Sequence, residues 1–283
     1  MEPHILTPQD IARFHETGYI TIRGFANASE LAAVGRVFEA FMSRELAVEG
    51  KDWGEHTPGL FNVTALSLYH KLDHLPTLSS PVAGTEDVLA TLDRRALAVT
   101  RQLYGDADGS IFLRDYEQLL RKLPDRPHAV FAPHMDMQYW PKSKSSAFDT
   151  RTATFSLAVN AASEANGCLW ALPGSHKLQG AYKGATRRLS SSRTDGGGMI
   201  ELELLPGDRE RRVFLPLAAG DATFHDEWLV HGSEGNASAA TRDTLIYAYR
   251  ASSMIAAERA LGFRHSYNDG EAVLCHVREG VFP

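Results

Sequence analysis

The spacing of apolar residues in the first part of the chain predicts three helices joined by short loops. The first begins at a Thr7 cap and ends at Gly18, because a hydroxyl side chain and a glycine are typical of these two positions. Ser29 is the predicted cap of the second helix. The third spans Glu86–Tyr104, where apolar residues share one face.

From residue 110 the pattern changes to short β-type runs separated by Pro, Gly, Asn and Asp, which suits a sandwich or a barrel. The runs are 111–113, 118–123, 130–131, 152–160, 169–172, 199–205, 212–215, 222–224 and 244–250. We predict one domain over residues 1–283. Residues 1–109 form a mainly helical part, 110–252 a β core with a lid-like insertion at 177–212, and 253–283 a C-terminal extension.

Composition narrows the function. The chain is 43% hydrophobic and contains no apolar run of the roughly 20 residues that a membrane span needs. Its net charge of −6 argues against nucleic acid as a partner. The only cysteines, Cys168 and Cys275, form no metal or disulfide motif. We therefore expect a cytoplasmic protein that acts on a small molecule, without membrane or nucleic acid; its oligomeric state stays open.

A candidate metal site follows from two histidines and a carboxylate. His134 and Asp136 end a β-type run, and on a strand their side chains would share one face. His231 follows a later apolar segment and supplies a third ligand. Such a set binds non-haem iron(II) and leaves coordination positions for substrates and dioxygen. His225 and Glu227 form a rival pair, but they lie so close to His231 in sequence that we place them beside the metal or at the surface.

A second candidate feature is a carboxylate-binding pair. Arg242 follows His231 by eleven residues, and Thr244 would lie on the same side of the following strand. A guanidinium fork beside a hydroxyl suits a carboxylate held at a fixed distance from the metal.

These residues stand among motifs that resemble the phytanoyl-CoA dioxygenase-like group of iron(II)/2-oxoglutarate oxygenases. The opening at residues 14–24 is also similar. The other matching motifs are Pro133-His134-Met135-Asp136, Asn166-Gly167-Cys168-Leu169, Pro173-Gly174-Ser175-His176-Lys177, Ala219-Gly220-Asp221, His231 and Arg242. We interpret the Asn-Gly and Pro-Gly-Ser-His segments as structural turns, so His176 is not a predicted ligand.

The resemblance implies a mainly β fold with N-terminal helices around a double-stranded β-helix (jelly-roll, cupin-like) core. It implies Fe(II) on the three ligands named above, with 2-oxoglutarate as co-substrate and O2 as oxidant. Arg242 would pair with the distal carboxylate of 2-oxoglutarate. By the same alignment Ser156 and Lys122 are further co-substrate contacts.

The expected reaction is hydroxylation of an unactivated C–H bond, with release of succinate and CO2. Related halogenases carry a small residue where this chain has Asp136, which favours hydroxylation here. Gln138 and Trp140 follow the ligand pair and are expected to contact a small polar or anionic metabolite, such as an amino acid or a natural-product intermediate.

Two other classes remain open at this stage. A cupin-like metalloenzyme, for example an isomerase or hydrolase, would need the same metal ligands but gives no reason for Arg242 and Thr244. A non-catalytic jelly-roll protein that binds a ligand would need neither feature.

Overall fold

The computed structural model describes residues 4–43, 53–57, 60–64, 82–109, 111–138, 151–182, 186–188 and 200–260. Its helices are α1 (Pro8–Thr17), α2 (Ala28–Met42), α3 (Glu86–Tyr104), α4 (Asp208–Arg211) and α5 (Ser252–Ala260). Its strands are β1 (Tyr19–Ile22), β2 (Trp53–Thr57), β3 (Leu60–Thr64), β4 (Phe112–Lys122), β5 (Phe131–His134), β6 (Thr152–Ala158), β7 (Leu169–Ala171), β8 (Thr186–Arg188), β9 (Ile200–Leu202), β10 (Val213–Phe214), β11 (Ala222–Asp226), β12 (His231–Ser233) and β13 (Arg242–Ala251).

The strands form two main antiparallel sheets. The larger has the order β1-β11-β6-β13-β4-β3-β2, and the smaller has the order β10-β7-β12-β5. Residues from both sheets line one cavity, so the two inner faces enclose it. The mainly β fold with N-terminal helices is as predicted.

The strand alternation of the larger sheet separates a core face from a cavity face. On β6, Phe155 and Leu157 point outward and are fully buried in the main hydrophobic core. Thr154 and Ser156 point inward and line the cavity. Apolar residues of α1, α2 and α3 complete the core, among them Phe14, Val34, Val37, Phe38, Leu89, Leu92, Ala96 and Val99.

Local signals fix the helix ends. Helices α1 and α3 are confirmed, and Thr7 Oγ1 accepts a hydrogen bond from the Asp10 backbone at 3.2 Å. The predicted Ser29 cap of α2 is wrong. Asn27 Oδ1 accepts from the Glu30 N–H at 2.9 Å, and the Glu30 carboxylate accepts in return from the Asn27 N–H at 2.9 Å. This reciprocal capping box outcompetes a single hydroxyl.

Residues 1–109 contribute strands as well as helices, which the helical prediction omitted. Strand β1 pairs with β11 and forms one edge of the larger sheet. Strands β2 and β3 pair with each other, and β3 joins β4 to extend the opposite edge. Short edge strands depend on a partner distant in sequence, so helical spacing elsewhere in this part gave no indication of them.

Strand β4 continues through a charged stretch that was predicted to separate two runs, 111–113 and 118–123. The charges are buried but paired. Arg114 lies 3.0 Å from a Glu117 carboxylate oxygen, and Arg250 lies 2.6 Å from an Asp115 oxygen. Buried charges are rare unless paired, and sequence alone does not reveal the partner.

Several predictions fall partly outside the described residues. They concern Trp140, residues 261–283 of the predicted extension and much of the 177–212 insertion. No described helix combines the length and apolar character required to cross a membrane.

Candidate metal centre

Backbone pairing brings the two predicted histidine ligands together. Strand β5 ends at His134, β12 begins at His231, and these two residues are direct partners in the antiparallel ladder. Asp136 does not continue β5 but opens a 3-10 turn, Asp136–Gln138. The prediction that His134 and Asp136 share a strand face is therefore wrong. The chain turns at Met135, and this turn directs the carboxylate towards both imidazoles.

The three side chains form a cluster of metal-ligand dimensions. Asp136 Oδ1 lies 3.5 Å from His134 Nε2 and 3.4 Å from His231 Nε2. One donor atom from each residue falls within 4.8 Å of the others. Ligands about 2.1 Å from a metal and at right angles are about 3 Å apart, so the cluster needs little adjustment to hold an ion.

Hydrogen bonds fix the tautomer of both histidines. His134 Nδ1 lies 2.7 Å from the Ala132 carbonyl, and His231 Nδ1 lies 2.9 Å from the Leu229 carbonyl. A carbonyl only accepts, so Nδ1 carries the proton in each ring. Each Nε2 lone pair therefore faces the cluster, as metal binding requires.

The charges also suit a cation. Burial lowers the pKa of His231 well below its usual value, and the imidazoles of His134 and His225 lower it further. Burial acts to raise the pKa of Asp136, but its interactions with the surrounding histidines hold that pKa well below the usual range. A neutral imidazole and an ionised carboxylate are the forms that bind metals.

A cavity of about 110 Å³ extends from this cluster between the sheets. The strand register arranges its inward side chains in rows across the larger sheet. Thr154, His225 and Ala248 form the row at the metal end; Ser156, Thr223, Ile246 and Gln118 form the next; Ala158, Thr244 and Leu120 form the third, with Arg242 beyond it.

Arg242 lines the cavity as a buried charge with unused donors. One of its terminal nitrogens donates to the Gly167 carbonyl, while its Nε has no hydrogen-bond partner among the described residues. Within the same part of the chain no carboxylate lies at ion-pair distance. The adjacent Asp243 is bound to Arg121 at 2.8 Å. Burial lowers the pKa of Arg242 to about 10. The site therefore favours an acidic ligand.

Two further cavity side chains were missed in the sequence. Gln118 Nε2 and Thr223 Oγ1 are buried and lack partners among the described residues. They occupy the same row as Ser156, so the space between the metal cluster and Arg242 is flanked by polar groups. The candidate metal cluster and the Arg242 guanidinium line the same cavity as these polar groups. Strand alternation from the neighbouring candidates was the available signal.

Two predicted contacts point elsewhere. The Lys122 ammonium does not line the cavity; it donates to Ser233 Oγ at 2.6 Å and to the Glu234 carbonyl. Gln138 Oε1 accepts from the Met135 N–H at 3.0 Å and so stabilises the turn that carries the metal ligands. Neither side chain is among the residues that line the cavity.

The structure also shows where the other histidines and the carboxylate considered as ligands lie. His176 contacts the His15 carbonyl at 3.1 Å, away from the cluster. Glu227 accepts a hydrogen bond from the Thr152 N–H at 2.5 Å. His225, in contrast, lies inside the cavity with its Nε2 3.1 Å from Asp136 Oδ2. His225 was predicted to lie either beside the metal or at the surface, and the structure shows it beside the candidate metal site.

A jelly roll with two histidines and a carboxylate facing a buried arginine defines the class of iron- and 2-oxoglutarate-dependent oxygenases. The chain belongs to the phytanoyl-CoA dioxygenase (PhyH) family, whose sequence profile matches residues 14–244. The predicted family, fold class and cofactors, iron and 2-oxoglutarate, are confirmed.

Solved structures with the same fold include EvdO2 from Micromonospora carbonacea var. aurantiaca complexed with 2-oxoglutarate (TM-score 0.63, 18% identity, 89% of this chain and 93% of that chain). EctD from S. alaskensis, with 2-oxoglutarate and 5-hydroxyectoine, gives a TM-score of 0.62 at 17% identity, covering 88% and 77%. The 2-oxoglutarate-dependent epimerase SnoN from nogalamycin biosynthesis gives 0.56 at 22% identity, covering 85% and 81%. No curated protein sequence matches the chain significantly.

Proposed function

We propose that the protein hydroxylates an unactivated C–H bond of a small polar or anionic metabolite, with release of succinate and CO2 from 2-oxoglutarate and dioxygen. The observation that carries the proposal is Arg242, a buried guanidinium without an acidic partner in the described chain, which lines the same cavity as the candidate metal cluster. A cupin isomerase or a ligand-binding jelly roll does not require that charge.

In this proposal each cavity residue has a positioning task. Arg242 and Thr244 bind the distal carboxylate of 2-oxoglutarate, and Ser156 contacts the co-substrate along its length. The apolar walls of the two sheets exclude water around it. His134, Asp136 and His231 hold the iron, which supplies oxygen activation when bound.

The retained carboxylate supports hydroxylation over halogenation. Asp136 occupies a coordination position that a halide would otherwise take. The excess of basic over acidic residues in segment 177–212 of the sequence supports a polar or anionic substrate.

Anaerobic titration with iron(II) and 2-oxoglutarate tests the reaction class. We expect a weak charge-transfer band in the visible, lost in His231→Ala and retained in the exposed-residue control His128→Gln. If the wild type shows no such band, the oxygenase proposal is contradicted. The two alternatives, a cupin-like metalloenzyme and a non-catalytic jelly-roll protein, would then be favoured.

Product analysis then tests hydroxylation. The wild type is assayed with a panel of amino acids and small carboxylates, following succinate release and product mass. A gain of about sixteen mass units, one inserted oxygen atom, is expected. A product of unchanged mass, or one two hydrogens lighter, would replace hydroxylation with epimerisation or with desaturation or ring closure.

A further inference from the structure

The two carboxylate oxygens of Asp136 have different surroundings. Oδ1 faces the Nε2 atoms of His134 and His231 at 3.5 Å and 3.4 Å. Oδ2 faces away from these ligands, towards His225 Nε2 at 3.1 Å and Thr154 Oγ1 at 2.5 Å. One oxygen is therefore directed at the metal position and the other is held by two protein groups.

His225 and Thr154 reach Oδ2 from adjacent strands. They are direct partners in the β11–β6 ladder, and both are almost fully buried. Their row lies at the metal end of the cavity. His225 is outside the group of donor atoms within 4.8 Å of one another, so it contacts a ligand instead of acting as one.

We propose that His225 and Thr154 hold Asp136 as a monodentate ligand through Oδ1 and thereby keep one coordination position open beside 2-oxoglutarate. The inference rests on the metal site of the proposed function. Two histidines, one carboxylate oxygen and a chelating co-substrate occupy five of six octahedral positions. A carboxylate binding through both oxygens would fill the sixth.

The backbone pairing of β11 does not explain why position 225 carries an imidazole side chain. Main-chain pairing with β1 and β6 already satisfies the β11 backbone on both sides. His225 Nδ1 has no hydrogen-bond partner within the described ranges, so the contact with Asp136 is the polar contact of the ring that the structure shows. With the proton on Nε2, the ring donates to Oδ2, and the Thr154 hydroxyl supplies a second donor.

Iron affinity provides the first test, measured anaerobically without substrate. His225→Phe and Thr154→Val each remove one donor and should weaken iron(II) binding about 10- to 100-fold. His225→Gln keeps an N–H donor and Thr154→Ser keeps a hydroxyl, so both should remain close to the wild type. His128→Gln is the matched histidine control, because His128 is exposed and does not line this cavity.

Nitric oxide binding provides the decisive test. With iron(II) and 2-oxoglutarate bound, the wild type should take up nitric oxide at the open position and give the spin-3/2 electron paramagnetic resonance signal. We expect the affinity for nitric oxide to fall at least about tenfold in His225→Phe and in Thr154→Val, and to recover in His225→Gln.

Unchanged nitric oxide affinity in both variants would overturn the proposal, whatever happens to iron affinity. If His225→Phe does not fold, as judged by circular dichroism, the Thr154→Val and Thr154→Ser pair decides the question. A wild type that binds neither iron nor 2-oxoglutarate would instead contradict the proposed function, so the two failures are distinguishable.

Discussion

Two buried arginines on opposite faces of the larger sheet have opposite environments. Arg114, on the outer face of β4, lies 3.2 Å from Asp93 and 3.0 Å from Glu117. Burial acts to lower its pKa, but attraction to these carboxylates raises it above the usual value. Arg242, on the inner face of β13, has no such partner among the described residues, and burial lowers its pKa to about 10.

The difference separates a structural charge from a binding site. Both guanidinium groups have lost water, and an uncompensated buried charge is unfavourable. The fold compensates the charge of Arg114 with its own carboxylates. In the proposed function, the charge of Arg242 is compensated by a carboxylate of the bound ligand. Under that proposal, a desolvated arginine without a protein carboxylate marks the co-substrate pocket.

Arg114→Met should have the largest effect, because it leaves Asp93 and Glu117 buried without a cation. We expect the free energy of unfolding to fall by about 3–5 kcal/mol. Denaturant unfolding with iron and co-substrate absent measures this. The affinity of the remaining folded protein for 2-oxoglutarate should not change. A loss below about 1 kcal/mol would mean that Arg114 is not a structural charge.

Arg242→Lys should act on binding instead of stability. A lysine cannot form the bidentate contact, so 2-oxoglutarate binding should weaken by about 2 kcal/mol, roughly 30-fold. Anaerobic calorimetry on the iron-loaded protein measures the dissociation constant. Iron affinity and unfolding midpoint in the absence of co-substrate serve as controls. Wild-type affinity in this variant would place the distal carboxylate elsewhere.

A co-substrate analogue sharpens the same contrast. 2-Oxobutyrate keeps the metal-chelating end of 2-oxoglutarate but lacks the distal carboxylate. It should bind the wild type more weakly than 2-oxoglutarate, and Arg242→Met should remove most of that difference. In the resulting double-mutant cycle we expect a coupling of about 1–2 kcal/mol. A coupling near zero would indicate that Arg242 and the carboxylate do not interact.

The last expected effect concerns Glu117 and pH. Burial raises the pKa of Glu117 from 4.5 to about 7, although attraction to Arg114 opposes the shift. The folded state holds this proton more tightly than the unfolded state. The stabilisation that comes from the tighter binding of this proton in the folded state is therefore fully present below about pH 4.5 and is lost as pH rises to about 7.

Glu117→Gln removes this titration. Relative to the wild type, the variant should gain stability between pH 5 and pH 8, by about 2–3 kcal/mol. Denaturant unfolding at the two pH values measures the gain. A difference that does not depend on pH would exclude an elevated pKa for Glu117.

Features that depend on local chemistry could be predicted from the sequence. The ends of α1 at Thr7 and Gly18 follow from side-chain capping and from a left-handed glycine, which neighbouring residues determine. The candidate metal ligands and Arg242 could be proposed because their residue types restrict the possible chemistry and their order matched a family pattern. The reason given for pairing His134 with Asp136, a shared strand face, was nevertheless wrong.

Features that depend on distant pairing could not be predicted. Strand β4 was divided in the prediction because charged residues such as Asp115 are normally exposed, whereas its partner Arg250 lies far along the chain. The contact of His225 with Asp136 likewise requires the β11–β6 register, which no local pattern gives. For β2 and β3 a signal existed: Phe61 and Val63 alternate with polar residues after Pro58-Gly59.

The pairing of His231 with His134 also bears on the order of folding. Strand β5 lies at the edge of the smaller sheet, where β12 is its partner among the described strands. A ribosome must therefore release the chain well beyond His231 before the two imidazoles can meet, so iron capture is a late, non-local event. An ion bound by His134 and His231 would cross-link β5 and β12. Metal depletion should therefore accelerate amide hydrogen exchange first along β5.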